Sequence, residues 1–475
     1  MFFFESPEWL ARGQRRLYLR GDDGGTGLGA HLQELTQALL KAAKVAGADA
    51  ADAMAVDGTS VHVDVRNGAL EQAERSEGIE IGLRVLIGKR QAVVSASDIR
   101  AETMAAMAER AVAMAKEAPE DPHAGLADAS QLAADRDATG LDLVDMGPEP
   151  EPAWLKEQAQ RAEAAAKAVR GVSQVQGASG GWSRTGVWIS ASNGFSAGYS
   201  RSAASVSCTA IAGEGLGMER DYDGDTRIYA SDLRSPEEIG TQAGQRAVER
   251  LNAKKPPTGH YPVLFDERIS ASLIGHLLAA ANGASVARGS SWLLGRLGEQ
   301  VLPKGIDLIE EPHRVRVGGS RPFDAEGLAT KRRAIVEDGM LTGWTLDLAS
   351  ARKLGLESTA NAARGVSAPP APSNWNVSIT QGVKSREALI AEMGTGLLVT
   401  SMIGATINPT TGDYSRGAAG LWVQNGEVTH AVNECTIAGN LMEMLTNMIL
   451  ANDARLHLSR PTPSILVEGM TLAGA

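Results

Sequence analysis

The sequence predicts an α+β fold: an N-terminal part of two repeated helix/antiparallel-strand units, then a C-terminal, mainly antiparallel, barrel-like β domain with a few helices. Three observations predict it. Amphipathic helices at His31–Ala46 and Ala153–Val169 are each followed by alternating strands that run into Asn-Gly, and the two Asn-Gly pairs lie 126 residues apart. Beyond Lys254-Lys255-Pro256-Pro257 the pattern changes to one helix and many short strands joined by tight turns. Aromatic residues make up only 4% of the chain and glycines number 53. The core is therefore expected to consist of small aliphatic side chains and closely approaching backbones.

Taken in order, residues 1–30 read as a mobile N-terminal extension. Its apolar Met1-Phe2-Phe3-Phe4 precedes the basic Arg12–Arg20, the reverse of the charge order in a secretory signal. The first helix carries Leu32, Leu35, Leu39 and Ala43 at helical spacing. Val61, Val63 and Val65 then alternate up to Asn67-Gly68, as Val187, Ile189 and Ala191 do up to Asn193-Gly194. Both read as hairpins with type I′ turns. Further strands are expected within 78–96 and 203–212, and each unit closes with an alanine-rich helix, through Glu109–Val112 and Gln245–Val248. Pro148–Pro152 would link the units. This places an N-terminal domain at 31–255, with copies at about 31–118 and 153–253, and a β-rich domain at 256–475. In the latter, Glu267–Ala281 reads as a helix. Glu337-Asp338-Gly339-Met340 and Gln424-Asn425-Gly426-Glu427 read as hairpins, and Ala438–Ala451 as a closing helix.

The chain carries 46 basic and 57 acidic residues, a formal charge of −11. Basic residues cluster only at Arg12–Arg20 and Lys331-Arg332-Arg333, which argues against a nucleic-acid partner. Cys208 and Cys435 are the only cysteines and show no metal-ligand spacing, which suits a reducing cytoplasm. No apolar run approaches the ~20 residues that span a bilayer, so no membrane partner is expected. Gly177-Ala178-Ser179-Gly180-Gly181 matches a nucleophile elbow as a string, but a strand follows it, not a helix. Gly82–Lys89 is one residue too long for a phosphate loop and is followed by Arg90 where Ser or Thr is needed, and Gly213–Gly217 reads as a turn.

Denser chemistry lies at Asn408–Ala418, where a turn former is followed by Asp413, Tyr414 and Arg416 between apolar strands. Such a loop suits holding a peptide or a neighbouring subunit; the alternative is that Asp413 and Arg416 pair to brace it. Ser320–Gly327 and Ser358–Gly365 have a similar make-up. His276 falls on or beside the buried stripe of its helix, where a lone histidine reads as a core residue rather than a metal ligand.

The runs Ser320–Gly327, Ala351–Leu356, Gly394–Leu397, Asn408–Gly417 and Thr436–Asn440 together resemble the TldD/PmbA family of peptidase U62 type. The likeness is strongest to its PmbA branch, also called TldE, and extends over about residues 31–475. The resemblance implies a subunit of a heteromeric zinc metalloprotease that degrades or processes unfolded proteins and peptides, paired with a TldD-type catalytic subunit. In the TldD branch one helix carries His-Glu-x-x-x-His, and a C-terminal cysteine is also a ligand. Here Ala271 and Ser272 replace the first two positions and only His276 matches, while Cys435 lies within a different motif. The resemblance thus implies no catalytic residue, metal or cofactor in this chain, with zinc in the partner. It leaves Asn408, Asp413, Tyr414 and Arg416 as candidates for the substrate or partner face. A homodimer is open for the isolated chain. Two other readings also stay open: an autonomous peptidase using His276 with His260 or His313, and a binding protein, as the family label "modulator of DNA gyrase" suggests.

Overall fold

In the computed structural model, which describes residues 26–474, the two N-terminal units share one sheet. The first unit runs α1 (Thr26–Ala46), β1 (Ala50–Arg66), β2 (Ala69–Ile87), β3 (Arg90–Ala96) and α2 (Ala101–Glu117). The second runs α3 (Pro152–Ala168), β4 (Val172–Ala191), β5 (Ser196–Ala212), β6 (Glu219–Arg227) and α4 (Pro236–Glu249). The strand order is β3-β2-β1-β4-β5-β6, antiparallel throughout, so the units meet at β1 and β4. There Gly58 faces Thr185 and Thr59 faces Arg184. The 126-residue offset carries Gly58 onto Arg184 and Thr59 onto Thr185, as a two-fold axis perpendicular to the sheet requires. It also carries Thr26, where α1 begins, onto Pro152, where α3 begins.

Alternation along β1 puts all four helices on one face of this sheet. Ala51, Ala53 and Ala55 pack with α1 and α2, while Val61, Val63 and Val65 pack with α3 and α4. The helices α3 and α4 approach so closely that a Cβ on Gly240 would lie 2.0 Å from the Ala162 carbonyl oxygen, the kind of contact a core poor in aromatics was expected to use. Asn67 and Gly68 adopt φ of 55° and 75°, as a type I′ turn demands. The second turn departs from expectation. Only Gly194 has positive φ, at 96°, and the hydrogen bonds Gly194 N to Ala191 O and Ala191 N to Phe195 O close a three-residue loop with a glycine bulge. Asn193 is held there by its side chain, which donates to Ala127 O and accepts from Phe195 N. Of the expected extension, residues 1–25 lie outside the described residues, and Thr26 onward is already helical.

The C-terminal part runs β7 (Gly259–Phe265), α5 (Glu267–Ala280), α6 (Gly283–Ala287), β8 (Leu308–Glu310), β9 (Arg333–Glu337), β10 (Met340–Leu341), α7 (Leu348–Leu354), β11 (Ala362–Ala363), β12 (Ala371–Pro372) and β13 (Val377–Ile379). It continues with α8 (Arg386–Met393), β14 (Gly396–Ile407), β15 (Asp413–Gln424), β16 (Glu427–Asn440), α9 (Leu441–Thr446), β17 (Ile449–Leu450) and β18 (Ile465–Ala473). The order β16-β15-β14-β7-β18 closes on itself through a β16–β18 pairing, giving a five-stranded barrel in which only β14 and β7 run parallel. Asp338-Gly339 and Asn425-Gly426 both take positive φ at their hairpins. The helix expected over 438–451 is mostly absent: β16 continues to Asn440, and only Leu441–Thr446 is helical before β17. Barrel closure decides this, because Thr436, Ile437 and Ala438 pair with β15 on one side and β18 on the other. The Asn440 side chain then caps α9 at Met442 N.

The sheet face opposite the helices meets the C-terminal part. Phe195 packs edge-on against Phe323 with ring centroids 5.1 Å apart, and Asp52 of β1 pairs with Arg364. Gly82 belongs to this seam, since a Cβ there would lie 2.1 Å from Val366 O, so it serves packing rather than phosphate binding. The nucleophile-elbow string lies inside β4. Both cysteines are buried and unpaired, and no helix among the described residues is long and apolar enough to cross a membrane.

Candidate functional site

Helix α5 is the element that would carry a zinc motif. The Asp266 side chain caps it by accepting from Arg268 N, and Leu273, Ile274 and Leu277 are fully buried beneath it. His276 sits half-buried at the edge of that stripe. The neighbouring Ser272 turns back on its own helix, its Oγ donating to Ile269 O at 2.7 Å. Strand β15 comes against this edge. The His276 ring meets Tyr414 edge-on at 5.9 Å, and the Tyr414 hydroxyl lies 3.2 Å from the Met402 sulfur. Arg416, two residues on and so on the same strand face as Tyr414, brings its charge beside the Tyr414 hydroxyl and donates from Nε to Gly404 O at 2.7 Å. Among the described residues no carboxylate pairs with Arg416.

Electrostatics define this cluster. Burial, and next the Arg416 charge, lower the pKa of His276, and its buried Nε2 has no hydrogen-bond partner. The imidazole is therefore neutral and spent on packing. Burial pushes the Tyr414 hydroxyl up to about 12. Because the folded pKa of His276 lies below its ordinary value of 6.5, the unfolded chain binds the extra proton and stability declines as pH falls below 6.5. His276→Gln is expected to make that decline shallower. Urea unfolding of both proteins between neutral pH and pH 5 measures the difference, and parallel curves would show that His276 contributes nothing to it.

The other expected site residues are placed differently. Asn408 Oδ1 accepts from Thr410 N and Thr411 N at 2.9 and 3.3 Å, and Asp413 accepts from the Thr411 hydroxyl at 2.6 Å and from Asn440 Nδ2 at 3.3 Å. Both are exposed and hold the β14–β15 turn. Asp413 and Arg416, three apart on one strand, fall on opposite faces, so the expected brace between them does not form. His313 Nε2 lies 3.1 Å from the Thr330 hydroxyl, and His260 Nδ1 lies 3.5 Å from that of Thr471. No group of three or more His, Cys, Asp or Glu among the described residues could hold a metal ion. Cys435 donates to Ala418 O, and burial raises its thiol to about 11, which keeps it from acting as a thiolate ligand.

Met402 and Ile269 also border a cleft of about 920 Å³ between the barrel and the sheet, together with Thr400, Ser401, Asp221 and Tyr222. Its flank was missed in the sequence. Glu219 and Asp221 line it and begin an alternation that Asp223 and Asp225 continue along β6, and Arg268 of α5 bridges Asp221 and Asp266 at 3.0 and 3.1 Å. The i, i+2 repeat of acids was the available signal.

Comparison with known proteins follows the same outline. Residues 258–474 match the PmbA/TldA metallopeptidase C-terminal domain, 142–251 its central domain and 51–115 its domain 1. Metalloprotease PmbA of Escherichia coli O157:H7 is 39% identical over 429 residues, covering 90% of this chain and 92% of its own length. The PmbA homolog of Haemophilus influenzae is 38% identical over 460 residues, 94% of this chain and 98% of its own. A crystal structure from Bacteroides thetaiotaomicron, described as a candidate modulator of DNA gyrase, aligns with a TM-score of 0.86 at 26% identity, covering 93% of this chain and 99% of that one. TldE from Thermococcus kodakarensis shares the fold at a TM-score of 0.80 and 23% identity, covering 92% and 99%.

Proposed function

The chain belongs to the TldD/PmbA metallopeptidase family, and from that premise we propose that it binds and does not itself cut. One observation carries the reading. On the helix that would hold zinc, Ala271 and Ser272 stand at two motif positions, and the remaining His276 is packed on Tyr414 beside the Arg416 charge. A catalytic zinc requires about three protein ligands and an open position for water. A cation placed here would meet one imidazole and a guanidinium, so the residues present do not fit the metal.

The finer reading is a subunit of a TldD/TldE-type zinc protease acting on unfolded peptides in the cytoplasm. A TldD-type partner would supply the metal, its ligands and the glutamate base. This chain would contribute the wall of the substrate chamber, with Asn408 and Asp413 shaping the exposed turn and Arg416 behind it as the partner or peptide face, while Tyr414, only 2% exposed, supports that face from beneath. The metalloprotease name borne by the Escherichia coli relative supports it. A second reading, a binding protein that modulates another macromolecule without any peptidase partner, is favoured by the name of the Bacteroides protein. The net charge of −11 then points to a protein target rather than DNA.

A peptide-cleavage assay with a chelator control separates these readings. Run on this chain, on a TldD-type partner and on the mixture, it is expected to show turnover that needs the mixture and stops with chelator. Chelator-sensitive turnover by the isolated chain would instead identify an autonomous peptidase. A partner indifferent to this chain would leave the modulator reading.

A further inference from the structure

A second cleft, of about 530 Å³, opens where the helix-free face of the N-terminal sheet meets the loop Ser320–Gly327. Five arginines line it, namely Arg201, Arg227, Arg316, Arg321 and Arg364, and no described acidic residue does. Three of the five have carboxylate partners set back from the cleft: Arg227 with Asp225, Arg316 with Asp142 and Asp232, and Arg364 with Asp52. Arg201 and Arg321 have none among the described residues. Arg201 lies over the Tyr199 ring and donates to Ser320 O at 2.6 Å, while Arg321 lies over Trp375 at 3.6 Å and donates to Gly319 O. The nearby Asp324 makes no ion pair with either, its oxygens accepting the backbone N–H groups of Glu326, Leu328 and Ala362, so it acts on Arg321 only through its charge.

The two unpaired guanidiniums repel one another. Burial first, and also the Arg201 charge, push Arg321 down to about 10, against the opposing pull of Tyr199, Asp324 and Glu310. Donors are left over as well: Arg201 Nε and Arg364 Nη2 are buried without a partner, and the Arg364 side chain is 0% exposed. In a chain of net charge −11, two guanidiniums without ion-pair partners, Arg201 and Arg321, beside idle donors on Arg201 and Arg364, form a preorganised receptor for negative charge. Stacking on Tyr199 and Trp375 fixes their planes before any ligand arrives.

We propose that this cleft binds a phosphoryl dianion, either free phosphate or the phosphate group of a small organic molecule. Two unpaired charges match a dianion. Three guanidiniums with the Ser183 and Thr185 hydroxyls offer more donors than the two oxygens of a carboxylate can use. The volume admits a nucleotide-sized ligand and excludes a folded domain or a nucleic-acid duplex. This site is separate from the His276–Tyr414–Arg416 cluster and does not depend on the function proposed for it.

Isothermal titration of the full chain at pH 8 and low ionic strength, with inorganic phosphate, a nucleoside monophosphate and succinate, tests the site. Saturable phosphate binding is expected, weakening as salt is added. Arg201→Gln and Arg321→Gln should each weaken it about tenfold or more. Arg332→Gln, an exposed guanidinium outside the cleft, should leave it unchanged. Tighter binding of the monophosphate would identify an organic phosphate as the ligand; equal binding would identify free phosphate. Because each Gln variant relieves a repulsion, its thermal melt without ligand should be no lower than the parent's. Should either fail to fold, Arg201→Lys keeps the charge, loses the planar fork and should bind with intermediate strength. Absence of saturable phosphate binding, succinate binding as tight as phosphate, or unchanged affinity in the folded arginine variants would each overturn the proposal.

Discussion

Asp52→Asn is expected to lower the unfolding free energy by about 3–5 kcal/mol, the cost of stranding buried charge. Among the described residues Asp52 is the only carboxylate paired with two arginines that are almost wholly buried, Arg84 at 5% and Arg364 at 0% side-chain exposure. Arg84 reaches it from β2 at 2.7 Å, with Gln91 as a further acceptor at 3.3 Å, and Arg364 reaches it from the C-terminal part. The triad therefore pins the sheet to the barrel side of the molecule. An asparagine is nearly isosteric but neutral, so both guanidiniums would remain buried and repel.

The pH dependence supplies a second signature of the same triad. Burial alone would raise the Asp52 pKa, but Arg364 and then Arg84 outweigh it and hold the carboxyl below its ordinary value of 3.8. Its contribution is present above 3.8 and disappears as pH falls through the lowered folded value. That portion of the acid limb should be missing in the variant. Urea unfolding at pH 7 and an acid titration of both proteins measure these effects. The double variant Asp52→Asn with Arg364→Met should recover part of the loss. Parent-like stability of the single variant would mean that the guanidiniums find other partners.

Arg416→Ala is expected to weaken the complex with a TldD-type subunit or with bound peptide by about 2 kcal/mol, roughly thirtyfold, while changing the stability of the isolated chain by less than about 1 kcal/mol. The two effects have separate origins. Within the chain Arg416 donates a hydrogen bond to Gly404 O, and losing it is offset by removing a half-buried charge that has no carboxylate partner among the described residues. Across an interface, that charge would be the one awaiting a counter-ion. Binding titrations with parent and variant, alongside urea unfolding of each, separate the contributions. Equal affinity would remove the proposed role of Arg416 and leave family membership untouched; a large loss of stability would make it a structural residue.

Features governed by nearest neighbours could be read from the chain alone. Asn67-Gly68, Asp338-Gly339 and Asn425-Gly426 turn as expected because positive φ at two successive residues is a local demand that these pairs meet at little cost. The repeat was legible for a similar reason: a helix or strand advertises its buried face by its own period, and the 126-residue offset survives in the β1–β4 register. The departure from the His-Glu-x-x-x-His pattern could be read directly at Ala271 and Ser272. Asn193-Gly194 uses the same letters as Asn67-Gly68 yet folds differently, because Ala127 O captures the asparagine amide from 66 residues away. Residues 438–440 stay in a strand because they pair with β15, and Ala438 also with β18 where the barrel closes, pairings no local window contains. Likewise, nothing in the spacing of Arg201, Arg321 and Arg364 brings them to one cleft, or joins His276 to Tyr414 and Arg416. Those meetings arise where sheet and barrel pack together. Their position is set by the sum of many distant apolar contacts, whereas turns and periodic faces are set by the backbone preferences of a few adjacent residues.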